Sequence, residues 1–177
     1  GAIVHVDALA LSSGASVRLS AAQNQGFTGM IIAPGTGANG EEITIVGDGA
    51  VTTLANVENY QIGDDSTNTR SVTITSAFTN VSVNSASDAV TFTIGALVYA
   101  GAISGEVSVD DILNLENGAD VSGGTLVNIE ALTLTSGASV RLSAVQNQNF
   151  TGAVVAPVTG INGETITISG DGAITTL

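Results

Sequence analysis

The sequence predicts an all-β chain wound as a parallel β-solenoid, and three observations carry that expectation. Residues 1–54 return as residues 124–177, an offset of 123 with 37 identities in the 54 aligned positions. Within that module, hydrophobic residues alternate with Thr and Ser at period two, the mark of strands with one face inward. A finer period is nested inside: Leu54-Ala55-Asn56-Val57-Glu58 resembles Leu126-Val127-Asn128-Ile129-Glu130 and Ile3-Val4-His5-Val6-Asp7. The steps between these segments divide into units of about 24–25 residues, the length of one solenoid turn, so the module holds about five coils. At about 4.8 Å per coil it would advance about 24 Å.

The strands follow in order. They are expected over 3–6, 15–19, 42–46, 71–75, 81–83, 90–94, 132–135 and 165–168. Gly- and Asn/Asp-rich corners separate them, supplying the positive-φ positions and Asx turns that sharp bends need. Two short helical stretches interrupt the pattern. One is Leu19 to Gln25, ending at Gly26; the other begins near Ser108 and runs toward Leu115. The alternative fold is a string of β-sandwich domains of 123 residues each. Sandwiches favour a buried Trp and tight hairpin turns, and this chain has no Trp. The hand of the solenoid stays open.

Residues 1–123 make one full module and residues 124–177 the start of the next. Both chain ends fall inside a module, so the sequence reads as a segment of a longer array. Sixteen acidic residues face three arginines and no lysine, a net charge of −13. That balance argues against nucleic acid, which needs clustered Lys and Arg, and against anionic membrane surfaces. The longest apolar stretch, 89–105, is interrupted by Thr, Gly and Ser and is shorter than the roughly 20 residues of a span. It reads as buried β structure, so no membrane insertion is expected. With no cysteine, the fold has neither disulfides nor thiolate metal ligands.

Leu19-Ser20-Ala21-Ala22-Gln23 and Leu142-Ser143-Ala144-Val145-Gln146, each followed by Phe-Thr-Gly, resemble the repeats of large secreted bacterial surface proteins. These are adhesins, S-layer-like proteins and type I-secreted relatives. The segment from Asn117 to Glu130 adds to the resemblance. It implies an extracellular structural or adhesive role at a bacterial surface, often with calcium. The Gly-Gly-x-Gly-x-Asp nonapeptide of calcium-binding rolls is absent, which departs from that pattern.

The candidate calcium corners are Asp48, Asp64, Asp65, Asp110, Asp111 and Asp171. Calcium takes six to eight oxygens, and adjacent strand residues point to opposite faces. Corners from successive coils would have to supply the set together; solvated turns are the plain alternative. No other cofactor is expected. His5 is replaced by Asn128 in the second copy, which speaks against a metal or acid–base role. Arg18 and Arg141 recur, and the expected partners are Glu41 and Glu164 on a neighbouring coil, with an acidic glycan as the alternative. The Thr-x-Thr triplets at 73–75, 91–93, 133–135 and 165–167 are spaced too irregularly for one per coil and read as ordinary strand faces. Glycosidase or lyase chemistry needs a matched carboxylate pair or an Asp/Arg/Lys cluster, so an enzyme is not expected.

The functional expectation is the shaft of a bacterial extracellular filament, matrix fibre or surface layer, self-associating through stacked coils. The alternatives are the stalk of an adhesin that binds a glycan or surface, and a polysaccharide-active β-helix enzyme.

Overall fold

The structure is a computed structural model that describes residues 6, 8–27, 31–33, 40–47, 49–63, 70–84, 89–107, 110–150, 152, 154–155 and 163–174. It is a β-solenoid in which the pairings are parallel. Three ladders run along it. The first face stacks β2 (Ser16–Ser20), β4 (Glu42–Val46), β6 (Asn59–Gly63), β8 (Asn80–Asn84), β10 (Ala102–Ser104) and β12 (Thr125–Val127). The second stacks β5 (Val51–Thr52), β7 (Arg70–Ile74), β9 (Val90–Ile94), β11 (Ile112–Leu115), β13 (Ala131–Leu134) and β15 (Val154–Val155). The third is discontinuous: β1 (Leu9–Ala10) and β3 (Ile31–Ile32) pair as a separate two-stranded sheet, and later in the chain come the bridges Val98–Asp120–Arg141. Arg141 lies in β14 (Ser139–Ser143), which pairs with β16 (Thr165–Ser169).

The alternation seen in the sequence becomes the inside and outside of the coil. In β9, Val90, Phe92 and Ile94 are buried while Thr91 and Thr93 are partly exposed. Inward residues then stack in columns. Val17, Ile43, Tyr60, Val81, Ile103 and Leu126 follow one another in register on the first face. Val51, Val72, Phe92, Leu113 and Leu132 do so on the second. Burial of these columns is the main favourable term, at roughly 25 cal/mol per Å² of apolar surface. Of the scarce aromatics, Tyr60, Tyr99 and Phe92 are fully buried, Phe27 and Phe150 are nearly so, and Phe78 is exposed. The polar tips of the two tyrosines are used. Tyr60 Oη donates to Asn24 Oδ1 at 3.2 Å and accepts from the Leu54 N–H at 2.9 Å. Tyr99 Oη donates to the Thr79 carbonyl at 2.7 Å.

The helix expected before Gly26 is α1 (Ala21–Gln25), and its repeat mate is α2 (Ala144–Asn149). Ser20 and Ser143 cap them in full capping boxes, with Gln23 and Gln146 reaching back to the cap N–H. The helix expected from Ser108 is corrected. Residues 108 and 109 lie outside the described set, and Ile112–Leu115 is β11. Ladder pairing to β9 on one side and β13 on the other outweighs local helical preference there. The strand expected over 3–6 lies, apart from Val6, outside the described residues. The stretch 89–105 holds β9 and β10, as buried β structure. Among the described residues no helix is long and apolar enough to cross a membrane.

Coil length also differs from the even division of the sequence. On the first face the longest coil runs from Val17 to Ile43 and the shortest from Ile43 to Tyr60, directly after it. The coils from Tyr60 to Val81, Ile103 and Leu126 fall between these extremes. Corners of unequal length absorb the difference while the strands stay in register.

Candidate functional site

Asp48, Asp64 and Asp65 lie outside the described residues. Asp110 and Asp171 are exposed. Asp111, beside Asp110, is fully buried, as opposite pointing of neighbours requires. Its two oxygens are occupied by backbone donors. Oδ1 accepts from the Val90 N–H and Oδ2 from the Glu106 N–H, each at 2.7 Å. The Asp111 N–H in turn donates to Glu130 Oε2 at 3.0 Å. Through its carboxylate and its own N–H, Asp111 therefore ties three successive corners together. Burial pushes it up to about 6, and the nearby Glu130 and Glu106 charges act in the same direction. The two N–H donors oppose the shift. Among the described residues no group of three or more Asp, Glu or His converges as a metal site.

A second carboxylate device sits at the corner of the first face, and sequence reasoning missed it. Glu41 is fully buried. Its Oε1 accepts from the Gly14 N–H at 3.1 Å, and its own N–H donates to Glu58 Oε2 at 3.1 Å. Glu41 Oε2 and Glu58 Oε1 are buried and reach no other donor among the described residues. Glu58 is raised above the usual carboxylate range, first because its carboxyl hydrogen-bonds that of Glu41 and then by burial.

The expected partnership of Arg18 with Glu41, and of Arg141 with Glu164, is corrected by the same geometry. Glu41 and Glu164 each accept a backbone N–H, from Gly14 and from Gly137 at 3.0 Å. Both arginines point outward and are exposed. The available signal was the joint recurrence of Gly14 with Glu41 and of Gly137 with Glu164, 27 residues apart in each copy. His5 lies outside the described residues.

On the second face Thr52, Thr73, Thr93, Asn114 and Thr133 form one outward row. Thr133 Oγ1 donates to Asn114 Oδ1 at 3.0 Å. The triplets at 73, 91 and 133 thus share a face, while Thr165–Thr167 lies on the third. An open depression of about 450 Å³ is lined by residues 126–130 with Gln148 and Asn149. Its carboxylate is Glu130, already engaged by Asp111, so it lacks the facing pair that glycoside hydrolysis uses.

The ends of the coil stack are the remaining feature. Ile43 and Ile45 in β4 are fully buried. Their repeat mates Ile166 and Ile168 in β16 are only partly buried. Val17 in β2 is likewise partly exposed, while its mate Val140 in β14 is 3% exposed. Identical side chains are sealed with a coil on each side and open with a coil on one side. No family model, curated protein or solved structure matches the chain.

Proposed function

We propose that this chain is a structural module: a solenoid shaft whose coils stack end to end into an extracellular filament, matrix fibre or surface layer of a bacterium. A β-solenoid fold is consistent with a structural role. The observation that carries the finer reading is the contrast between Ile43/Ile45 and Ile166/Ile168. A second coil seals this row completely. A further coil stacked on β16, from the same chain or from another copy, would cover Ile166 and Ile168 in the same way. The neutral, Ser/Thr-rich exterior and the acidic balance favour solubility of the shaft flanks. The role is mechanical and requires no catalysis. A stalk that carries an adhesive tip shares this core and differs only in the domain attached beyond the shaft.

Replacing Ile166 and Ile168 by Asp is expected to keep the fold, because both sit at an open row, and to abolish end stacking. Wild-type protein should form rods that lengthen with concentration in electron micrographs and sedimentation, and the double variant should stay monomeric. A wild-type chain that remains monodisperse and monomeric at high concentration would falsify the reading.

A further inference from the structure

The repeat length is not a whole number of coils. From Val17 to Leu126 the first face takes five register steps, through Ile43, Tyr60, Val81 and Ile103. Beyond Leu126 the chain passes the second face at Leu132 and reaches the third at Val140, the repeat mate of Val17. There Arg141 bridges Asp120, which bridges Val98. The pairs β1–β3 and β13–β15 are also mates, on the third and second faces. One 123-residue module is therefore five coils and two thirds, and each module is turned by a third of a revolution against the one before.

The capped helix is where this phase acts, because each helix takes the place of one strand in its coil. α1 follows β2 of the first face and packs on β5 of the second. α2 follows β14 of the third face and packs on β12 of the first. A helix spends its backbone N–H groups internally, so it offers no ladder donors to the coils on either side. Side-chain amides stand in for them. Toward the later coil, Asn24 Nδ2 donates to the Thr52 carbonyl at 2.8 Å and Gln25 Nε2 to the Ala50 carbonyl at 2.6 Å. The second of these bonds recurs in the other copy, where Gln148 Nε2 donates to the Ala173 carbonyl at 2.5 Å. Toward the earlier coil, Gln146 Nε2 donates to the Val121 and Gly124 carbonyls at 2.6 and 2.8 Å, while its Oε1 accepts the Ser143 N–H in the capping box. One ladder is thus closed at each helix. The other two run past it: β2–β4 and β1–β3 beside α1, β14–β16 and β13–β15 beside α2.

We propose that the helix Ala21–Gln25 and its mate Ala144–Asn149 are ladder joints, and that the two-thirds phase carries the joint to a different face in each successive module. A module of whole coils would align every joint on one face, a seam along which the shaft would hinge. With the observed phase the joint returns to the same face only after three modules, about 82 Å at about 4.8 Å per coil, and no face carries a seam. This refines the shaft reading above and is tested apart from it: the chain can stack end to end through Ile166 and Ile168 whatever the position of its joints.

The phase is tested in the whole chain, which has no native cysteine. Asp120→Cys with Arg141→Cys places two outward residues on adjacent strands, within disulfide reach. Ser104→Cys with Arg141→Cys is the pair that a module of five whole coils would bring together. Mild oxidation should close the first pair and not the second, with single variants as folding controls. Closure of the second pair, or of neither, overturns the rotation. The joint is tested by Gln146→Glu. Glutamate serves a capping box as well as glutamine does, but its carboxylate has no N–H for the Val121 and Gly124 carbonyls. The variant should melt roughly 5 °C or more below wild type at pH 7, and recover part of that deficit at pH 4, where the neutral carboxyl donates once. Ser143→Ala removes the hydroxyl side of the box and leaves both amide bonds, so it should cost less. Should Gln146→Glu fail to fold, Gln25→Glu/Gln148→Glu reads the same loss at the exposed amides of the other side, with the same recovery at pH 4. Variants as stable as wild type at pH 7, or a Gln146→Glu chain no less stable than Ser143→Ala, overturn the joint and leave an ordinary capped insertion.

Discussion

Replacing Gly105 by alanine is expected to be among the most damaging single-methyl changes in the chain. A Cβ built there overlaps both the Asn128 carbonyl oxygen and Asp111 Oδ2, well inside the 3.0 Å that real Cβ atoms keep. Neither atom is free to move. Asp111 is fixed by the Val90 and Glu106 N–H groups. Asn128 has a positive φ of 51°, and its side-chain amide donates back to the Gly105 carbonyl at 3.3 Å. The Gly105 N–H also donates to the Val127 carbonyl at 2.9 Å, one coil on. The methyl group must therefore push adjacent coils apart or break the Asp111 clamp. A cost of about 3 kcal/mol or more follows from overpacking together with a disturbed buried carboxylate. That corresponds to a fall in Tm of roughly 6–12 °C for a chain of this size. Gly123→Ala is the control, because its Cβ would meet nothing closer than 3.6 Å, and it should be within about 0.5 kcal/mol of wild type. Thermal denaturation of the two variants decides the matter. Equal melting temperatures would mean that the corner at Gly105 is looser than its geometry.

The solenoid was legible in the sequence because its two determinants are local. Alternation over Val72, Ile74, Phe92 and Ile94 fixes which side chains turn inward, and the repeat fixes that coils stack. The helix at Ala21–Gln25 was legible for the same reason: Ser20 and Gln23 form a cap that needs no distant partner. Coil phase was not legible. The long coil from Val17 to Ile43 and the short one from Ile43 to Tyr60 differ only in their corners, whose lengths vary without changing the ladder. Dividing the repeat evenly therefore gave five coils where the register gives two thirds of a coil more. The same limit hid β11. Ile112–Leu115 follows Ser108 and the acidic pair Asp110-Asp111, a start that resembles a capped helix, and only the strands on either side decide between the two. Candidate sites were the least legible. Asp110 and Asp111 are chemically alike in sequence, yet one is solvated and the other buried, a distinction set by Val90 and Glu130, each in a neighbouring coil. Glu41 looked like an ion-pair partner because carboxylates commonly meet arginine. In the fold it serves Gly14 and Glu58, and Arg18 is left outside.

Stability should rise as the pH is lowered from 7 toward about 4, the reverse of the usual behaviour of paired carboxylates. Asp111 is raised from 3.8 to about 6 in the folded chain. The folded state then binds more protons than the unfolded state between those values, so unfolding free energy falls as pH rises through the interval. The stabilisation by the proton is complete below about 4 and lost as pH passes about 6. A difference of about two pH units corresponds to about 3 kcal/mol. Glu58, also raised, acts in the same direction, and protonation of surface carboxylates relieves the self-repulsion of a chain at −13. Asp111→Asn separates these contributions. The amide presents only one acceptor oxygen to the two N–H donors at Val90 and Glu106, so the variant should be less stable throughout. It lacks the titrating group, so its gain in Tm between pH 7 and pH 4 should be clearly smaller than that of wild type, with the remainder left to Glu58 and the surface. Melting curves measured at half-unit intervals provide the test. A wild type that is most stable at neutral pH, or a variant with an undiminished acid gain, would show that the clamp carboxylate is ionised in the fold and that its two backbone donors outweigh its burial.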